Sequence, residues 1–138
     1  MGIQSRSEIV VRYAETDQMA IAWHGHYLAW LEVARLDWWR SLGMSYKELE
    51  DRGYLLPVLK VECEFCHSAY FDDRLTIEVN LSEYTGFRIV FSYMITRARD
   101  GQKIAVGKTH HVITDRSMRP LRVERHIPDI HTRLANAL

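Results

Sequence analysis

Residues Tyr13 to Gly43 read YAETDQMAIAWHGHYLAWLEVARLDWWRSLG. The stretch divides into a strand end, a connector whose carboxylate is Asp17, and a helix. From Gly25 to Leu42 there is no proline and no second glycine, so helix is permitted throughout, and Gly43 stands where a helix stop belongs. A long helix is therefore expected to begin between His24 and His26. Tyr27, Leu28, Trp30, Leu31, Ala34, Leu36, Trp38, Trp39 and Leu42 leave only Glu32, Arg35, Asp37 and Arg40 as its polar remainder. An amphipathic surface helix shows a cleaner polar half. This one is expected to be wrapped on most sides, as a helix inside a curved sheet would be.

The rest of the chain must supply that sheet. With 138 residues, one domain spanning 1–138 is expected. The formal net charge is zero, which removes any broad electrostatic case for nucleic acid or an anionic membrane as partner. No run approaches the ~18 apolar residues of a membrane span. The polar start lacks the apolar core of a signal peptide, so a cytoplasmic protein with no membrane insertion is expected. The Met1-Gly2 opening does not make a myristoylation site, because Arg6 stands where Ser or Thr is required. Cys63 and Cys66 form a lone C-x-x-C without a second ligand pair, and two reduced cysteines in packing roles are expected.

In chain order, Glu8 to Tyr13 is β-branched and aromatic, as a half-buried strand requires. Met44 to Arg52 reads as a short helix, with Ser45 and Glu48 spaced as a capping box and Gly53 as its stop. Strand character follows over Leu55 to Ser68, with Pro57 keeping the beginning irregular. After a turn at Asp72-Asp73, Leu75, Ile77, Val79 and Leu81 alternate with Thr76, Glu78 and Asn80, so one face is wet. A turn at Thr85-Gly86 leads to Arg88–Arg97, and Asp100-Gly101 is a hairpin signal returning the chain along Lys103 to Thr114. The tail ends in a short helix after Pro128. One strand, a long apolar helix, a short helix and four more strands predict an α+β hotdog fold: an antiparallel five-stranded sheet wrapped around one long apolar helix.

Tyr13-x-Glu15-Thr16-Asp17, His24-x-x-Tyr27 and Glu32-x-x-Arg35, with Thr114-Asp115 and Pro120 late in the chain, resemble the pattern of the 4-hydroxybenzoyl-CoA thioesterase type. The likeness is to its YbgC-like acyl-CoA thioesterase branch and extends through nearly the whole chain. It implies hydrolysis of an acyl-CoA thioester without a cofactor, in a homo-dimer or homo-tetramer whose active site lies between subunits. It also implies Asp17 as nucleophile or general base. The chain departs from the pattern at Met19 and Ala20, where glycine is common, at Trp23 for tyrosine or phenylalanine, and at His26 for asparagine. Bulkier connector residues are expected to reshape the acyl pocket.

The residues themselves support that chemistry. Thioester hydrolysis needs a group that attacks the acyl carbon or activates water, and donors aimed at the oxygen that becomes negative. Asp17 supplies the first. The first backbone N–H groups of the long helix, those of Gly25 and His26, supply the second at its positive end. His24 and Tyr27 are further catalytic candidates, with Met19, Trp23 and Glu32 as substrate-binding candidates. Glu32 and Arg35 are spaced to pair along the helix. Arg119 and Arg122, within the basic spacing Arg116 to Arg125, are candidates for coenzyme A phosphates. Asp17, His24 and His26 are the residue types of a metal site, but nothing else supports one and no metal is expected. Two alternatives stay open: a non-hydrolytic acyl-CoA or acyl-carrier binding protein on the same fold, and a hotdog hydratase.

Overall fold

The computed structural model describes residues 4–138; the Met1-Gly2 opening lies outside them. Five strands, β1 (Gln4–Val10), β2 (Val58–Phe65), β3 (Arg74–Tyr84), β4 (Arg88–Arg97) and β5 (Lys103–Val112), form one antiparallel sheet in the order β1-β3-β4-β5-β2. The long helix α1 (His26–Ser41) packs against β1 and β3 of that sheet, and α2 (Tyr46–Asp51), α3 (Val123–His126) and α4 (Pro128–Ala137) complete the chain. The expected α+β hotdog arrangement is what is found. Among the described residues no helix is long and apolar enough to cross a membrane.

Local chemistry sets most boundaries. Gly43 and Gly53, read as helix stops, and Gly86 and Gly101, read in turns, all take positive φ. Ser45 caps α2 by accepting from the Glu48 N–H at 3.2 Å, while Pro128 opens α4 at a position where its missing N–H costs nothing. In β3, Leu75, Ile77, Val79 and Leu81 are all buried and meet Ile89, Phe91 and Ile95 of β4 in the core.

Two expectations need correction. The first strand ends at Val10, not Tyr13, because Tyr13–Glu15 turn as a short 3-10 segment closed by the Glu15 carboxylate on the Arg12 N–H at 2.8 Å. Nor is α1 wrapped on most sides. Tyr27, Trp30, Leu31, Ala34, Trp38 and Trp39 make one buried stripe, while Leu28 and Val33 remain 49% and 46% exposed. The stripe recurs at helical spacing, so large aromatics on one side carry the packing that the composition seemed to spread around the helix.

Candidate active site

The connector from Thr16 to Ala22 is a small hairpin closed by an isolated bridge between those two residues. The Asp17 N–H donates to the Ile21 carbonyl at 2.9 Å, and Ala20, at the tip, has φ +65°. The hairpin is pinned to the loop between β2 and β3 through the Ala22 N–H on the Ala69 carbonyl at 2.8 Å, and to the preceding turn through the Trp23 N–H on the Glu15 carbonyl at 2.8 Å. The buried Glu15 carboxylate accepts the Trp30 indole N–H at 2.9 Å, which ties the connector to α1.

Asp17 is half-buried. Its Oδ1 accepts the Met19 N–H at 2.8 Å, while Oδ2 has no partner among the described residues. The carboxylate thus serves its own turn with one oxygen and keeps the other free. Beside it lies a cavity of about 240 Å³ whose wall includes Asp17, Met19, His24, Tyr27, Phe65 and Cys66. Tyr27 is buried, with its ring against Trp30 at 4.7 Å and Phe65 at 4.9 Å. Burial, then the neighbouring Cys63, pushes its hydroxyl up to about 12 against a hydrogen bond from the Ala69 backbone. Tyr27 therefore keeps its proton at neutral pH.

The helix start differs in detail from expectation. The His26 N–H is engaged by the Trp23 carbonyl at 3.0 Å and the Tyr27 N–H by the His24 carbonyl at 3.2 Å. Among the described residues, the amides of His24 and Gly25 meet no acceptor. Of the two assigned from sequence, Gly25's N–H is thus available and His26's is not. His24's own N–H, on a residue of the cavity wall, was missed because turn bonds to the Trp23 and His24 carbonyls already engage the amides of His26 and Tyr27, which shifts the unengaged amides toward the N-terminus. Gly25 leaves room for more than a substrate: a Cβ there would lie within 2.7 Å of three carbons of the Trp23 ring, so any other residue would displace that ring. Trp23, read as a substrate contact, lies outside the cavity wall and covers this helix start instead.

The remaining candidates are placed elsewhere in the same copy. Glu32 borders a second cavity, with Arg35 and Trp39, at the beginning of β2. The Glu32–Arg35 pair expected from their spacing does not form. Arg35 reaches across to donate to the Tyr93 hydroxyl at 3.1 Å instead. Arg119 and Arg122 line a third cavity, of about 530 Å³, with Arg125. It follows Thr114, which bridges to Leu55 just before β2, so it lies at the opposite end of that strand from Phe65. Among the described residues, His, Cys, Asp and Glu do not group in threes around a point that would hold a metal.

Phe65, Cys66, His67 and Ser68 are wall residues that sequence reasoning did not assign to the site. They follow β2 into a loop held from behind by buried Arg97, which donates to the Ser68 carbonyl and to Asp73, each at 3.1 Å. No local signal marks them.

Residues 11–138 match the family described as the Thioesterase-like superfamily, and the chain belongs to it. The Bacillus subtilis protein YneP is 33% identical over 128 residues, 93% of each chain. The Haemophilus influenzae acyl-CoA thioesterase YbgC is 32% identical over 88 residues, 63% of this chain and 65% of that one. Among solved structures, the DHNA-CoA thioesterase of Staphylococcus aureus superposes with a TM-score of 0.92 at 32% identity, over 96% of this chain and 89% of its own.

Proposed function

We propose that this protein hydrolyses acyl-CoA thioesters, using Asp17 against an acyl carbon whose oxygen is held by the N–H groups of His24 and Gly25. The observation that carries the reading is a single cavity that collects a carboxylate oxygen without a partner, an unengaged amide at the start of α1 and a protonated tyrosine. The helix dipole at that start adds to the attraction for the developing oxyanion. Asp17 Oδ2 acts in one of two ways. As nucleophile it adds to the acyl carbon, expels coenzyme A as thiolate, and leaves a mixed anhydride that water opens. As base it takes the proton of a water that attacks the same carbon. Both consume one water and give the free acid and the thiol. Membership in a thioesterase family and the names of the relatives support this chemistry.

The site in this reading is completed by a second copy. β2 is an edge strand paired only to β5, and its Leu59, Val61 and Phe65 are 57%, 40% and 50% exposed. Edge strands with that much bare apolar surface call for a partner. Antiparallel pairing of two β2 strands about a two-fold axis at Val61 sets valine against valine, and Lys60 of each copy opposite Glu62 of the other. It also carries the partner's Arg119 and the partner's Arg122 from the far end of the strand toward the Asp17 cavity. There they meet coenzyme A phosphates.

The test is thiol release from short, medium, long and aromatic acyl-CoA thioesters by wild type and Asp17→Asn. Turnover that falls by about 10²–10⁴-fold in a folded, substrate-binding mutant upholds the assignment. Binding without turnover in the wild type points to an acyl-CoA binding protein instead. A product heavier than the substrate by one water points to a hydratase.

A further inference from the structure

Ala69, fully buried in the loop from β2 to β3, is the point at which that loop holds both halves of the Asp17 cavity. Its carbonyl accepts the Ala22 N–H of the connector at 2.8 Å, and its N–H has the Tyr27 hydroxyl of α1 as partner. The next residue, Tyr70, bridges to Ile21, whose carbonyl accepts the Asp17 N–H at 2.9 Å. A shift of Ala69 is therefore passed to Asp17 through the connector hairpin and to Tyr27 directly. An alanine has no polar side chain with which to fix itself, so its neighbours must do so.

Both neighbours are fixed from outside the cavity by one ion pair. Arg97, the last residue of β4 and only 7% exposed, gives Nη1 to the Ser68 carbonyl and to Asp73 Oδ2, each at 3.1 Å. The same Asp73 oxygen accepts the Tyr70 N–H at 3.0 Å. A trans peptide unit points its C=O and N–H in opposite directions. The unit before Ala69 is thus held by the cation behind and by Tyr27 in front, and the unit after it by the anion behind and by Ala22 in front. Hydrogen bonds in a chain polarise one another, so charge behind each unit strengthens its bond in front. Arg97 is itself tied to the sheet: Nε meets both oxygens of Asp100 at 3.2 Å, and its backbone N–H donates to the Gln102 carbonyl at 2.9 Å in the hairpin to β5. A buried ion pair contributes little net stability, because desolvation offsets most of its attraction. What an apolar residue in its place could not supply is the direction of the guanidinium fork.

We infer that Arg97 and Asp73 are positioning residues for thioester cleavage: through the two peptide units that flank Ala69 they set where Asp17 stands against Tyr27. Neither belongs to the cavity wall. Misplacing a reacting group by about 1 Å costs up to about 10²-fold in rate, whereas the remainder of the wall still binds the substrate. The pair therefore governs kcat and leaves KM alone. This role rests on the reading of Asp17 given above.

The assay is thiol release from whichever acyl-CoA of the panel above wild type turns over fastest. Arg97→Lys keeps the cation and loses the fork; Asp73→Asn, which keeps the shape and an oxygen for the Tyr70 N–H, is the second variant should the first fail to fold. In a folded variant kcat falls about tenfold with KM unchanged. Placed on Asp17→Asn, the same substitution leaves the residual rate where it was, because no carboxylate remains to be misplaced. An unchanged kcat in the otherwise wild-type protein overturns the inference, and so does an equal fall on both backgrounds, which is what a general loosening of the fold would give. Should wild type hydrolyse no thioester, the Asp17 reading fails by itself, and crystal structures of wild type and variant decide the placement. An Asp17 carboxylate displaced relative to Tyr27 upholds it, and one that superposes on wild type overturns it.

Discussion

At the scale of single residues, Glu15 holds the candidate site in shape without touching the cavity. Its carboxylate takes the Arg12 N–H and the Trp30 indole, and its carbonyl takes the Trp23 N–H. Three segments therefore meet on one residue, two of them on its carboxylate. Burial drives this carboxyl up, but the Arg12 backbone, the Trp30 indole and the Arg12 guanidinium together outweigh it and hold the group below its ordinary value of 4.5. A depressed carboxylate stabilises the fold in full above its unfolded value and loses that contribution as pH falls through the lower folded value. Glu15→Gln, which keeps the shape and removes the charge, is expected to cost about 1–3 kcal/mol. Thermal denaturation at pH 7 measures it, and the gap to wild type closes below pH 4.5. A variant as stable as wild type at pH 7 would remove Glu15 from this role.

At the scale of elements, α1, β4 and β5 are joined through their polar groups as well as their core. Arg35 donates to the Tyr93 hydroxyl, which pairs with Thr109 Oγ1 at 2.6 Å, and Thr109 pairs with His111 Nε2 at 2.8 Å. His111 is fully buried. Burial first, then the charge of Arg35, lowers it from 6.5 to about 4; the Leu56 and Pro57 backbone offsets part of this and His110 adds to it. Since the unfolded chain binds the proton first, stability is complete above pH 6.5 and declines as pH falls toward about 4. The loss reaches ~3 kcal/mol at the lower end. His111→Gln, neutral throughout, flattens the melting temperature across that interval relative to wild type; parallel curves would count against a buried neutral imidazole. None of this chain was legible in the sequence, where no local signal joins Arg35, Tyr93, Thr109 and His111. The elements were legible, because helix stops, turn glycines and alternating β3 residues are local signals. So was the nearness of Asp17, His24 and Tyr27, which line one cavity, since connector and helix start are contiguous. What joins residues distant in sequence was not: Phe65 to Ser68 in the cavity wall, Glu15 on Trp30, and Arg35 turning from Glu32 to Tyr93.

At the scale of the whole molecule, the candidate site residues are divided along one exposed edge. The Asp17 cavity lies at one end of β2 and the cavities holding Trp39 and Arg119 lie at the other. No rearrangement within one copy unites them, because β2 is fixed along its length to β5, with Gly107 packed so closely on it that a Cβ would lie 2.8 Å from the Glu62 carbonyl. A two-fold axis at Val61 unites them twice over, once at each end of the paired strands. Lys60 and Glu62, which pair at 2.8 Å within a copy, are then each within reach of the opposite charge on the other. Val61→Lys puts two ammonium groups face to face across that axis while altering a side chain that is 40% exposed in the separate copy. The expected outcome is a wild type that sediments as a dimer or tetramer and a variant shifted toward monomer at the same concentration, with thiol release falling in parallel. A variant that is monomeric and fully active would mean that each copy carries a whole site, and the division along β2 would have no bearing on catalysis.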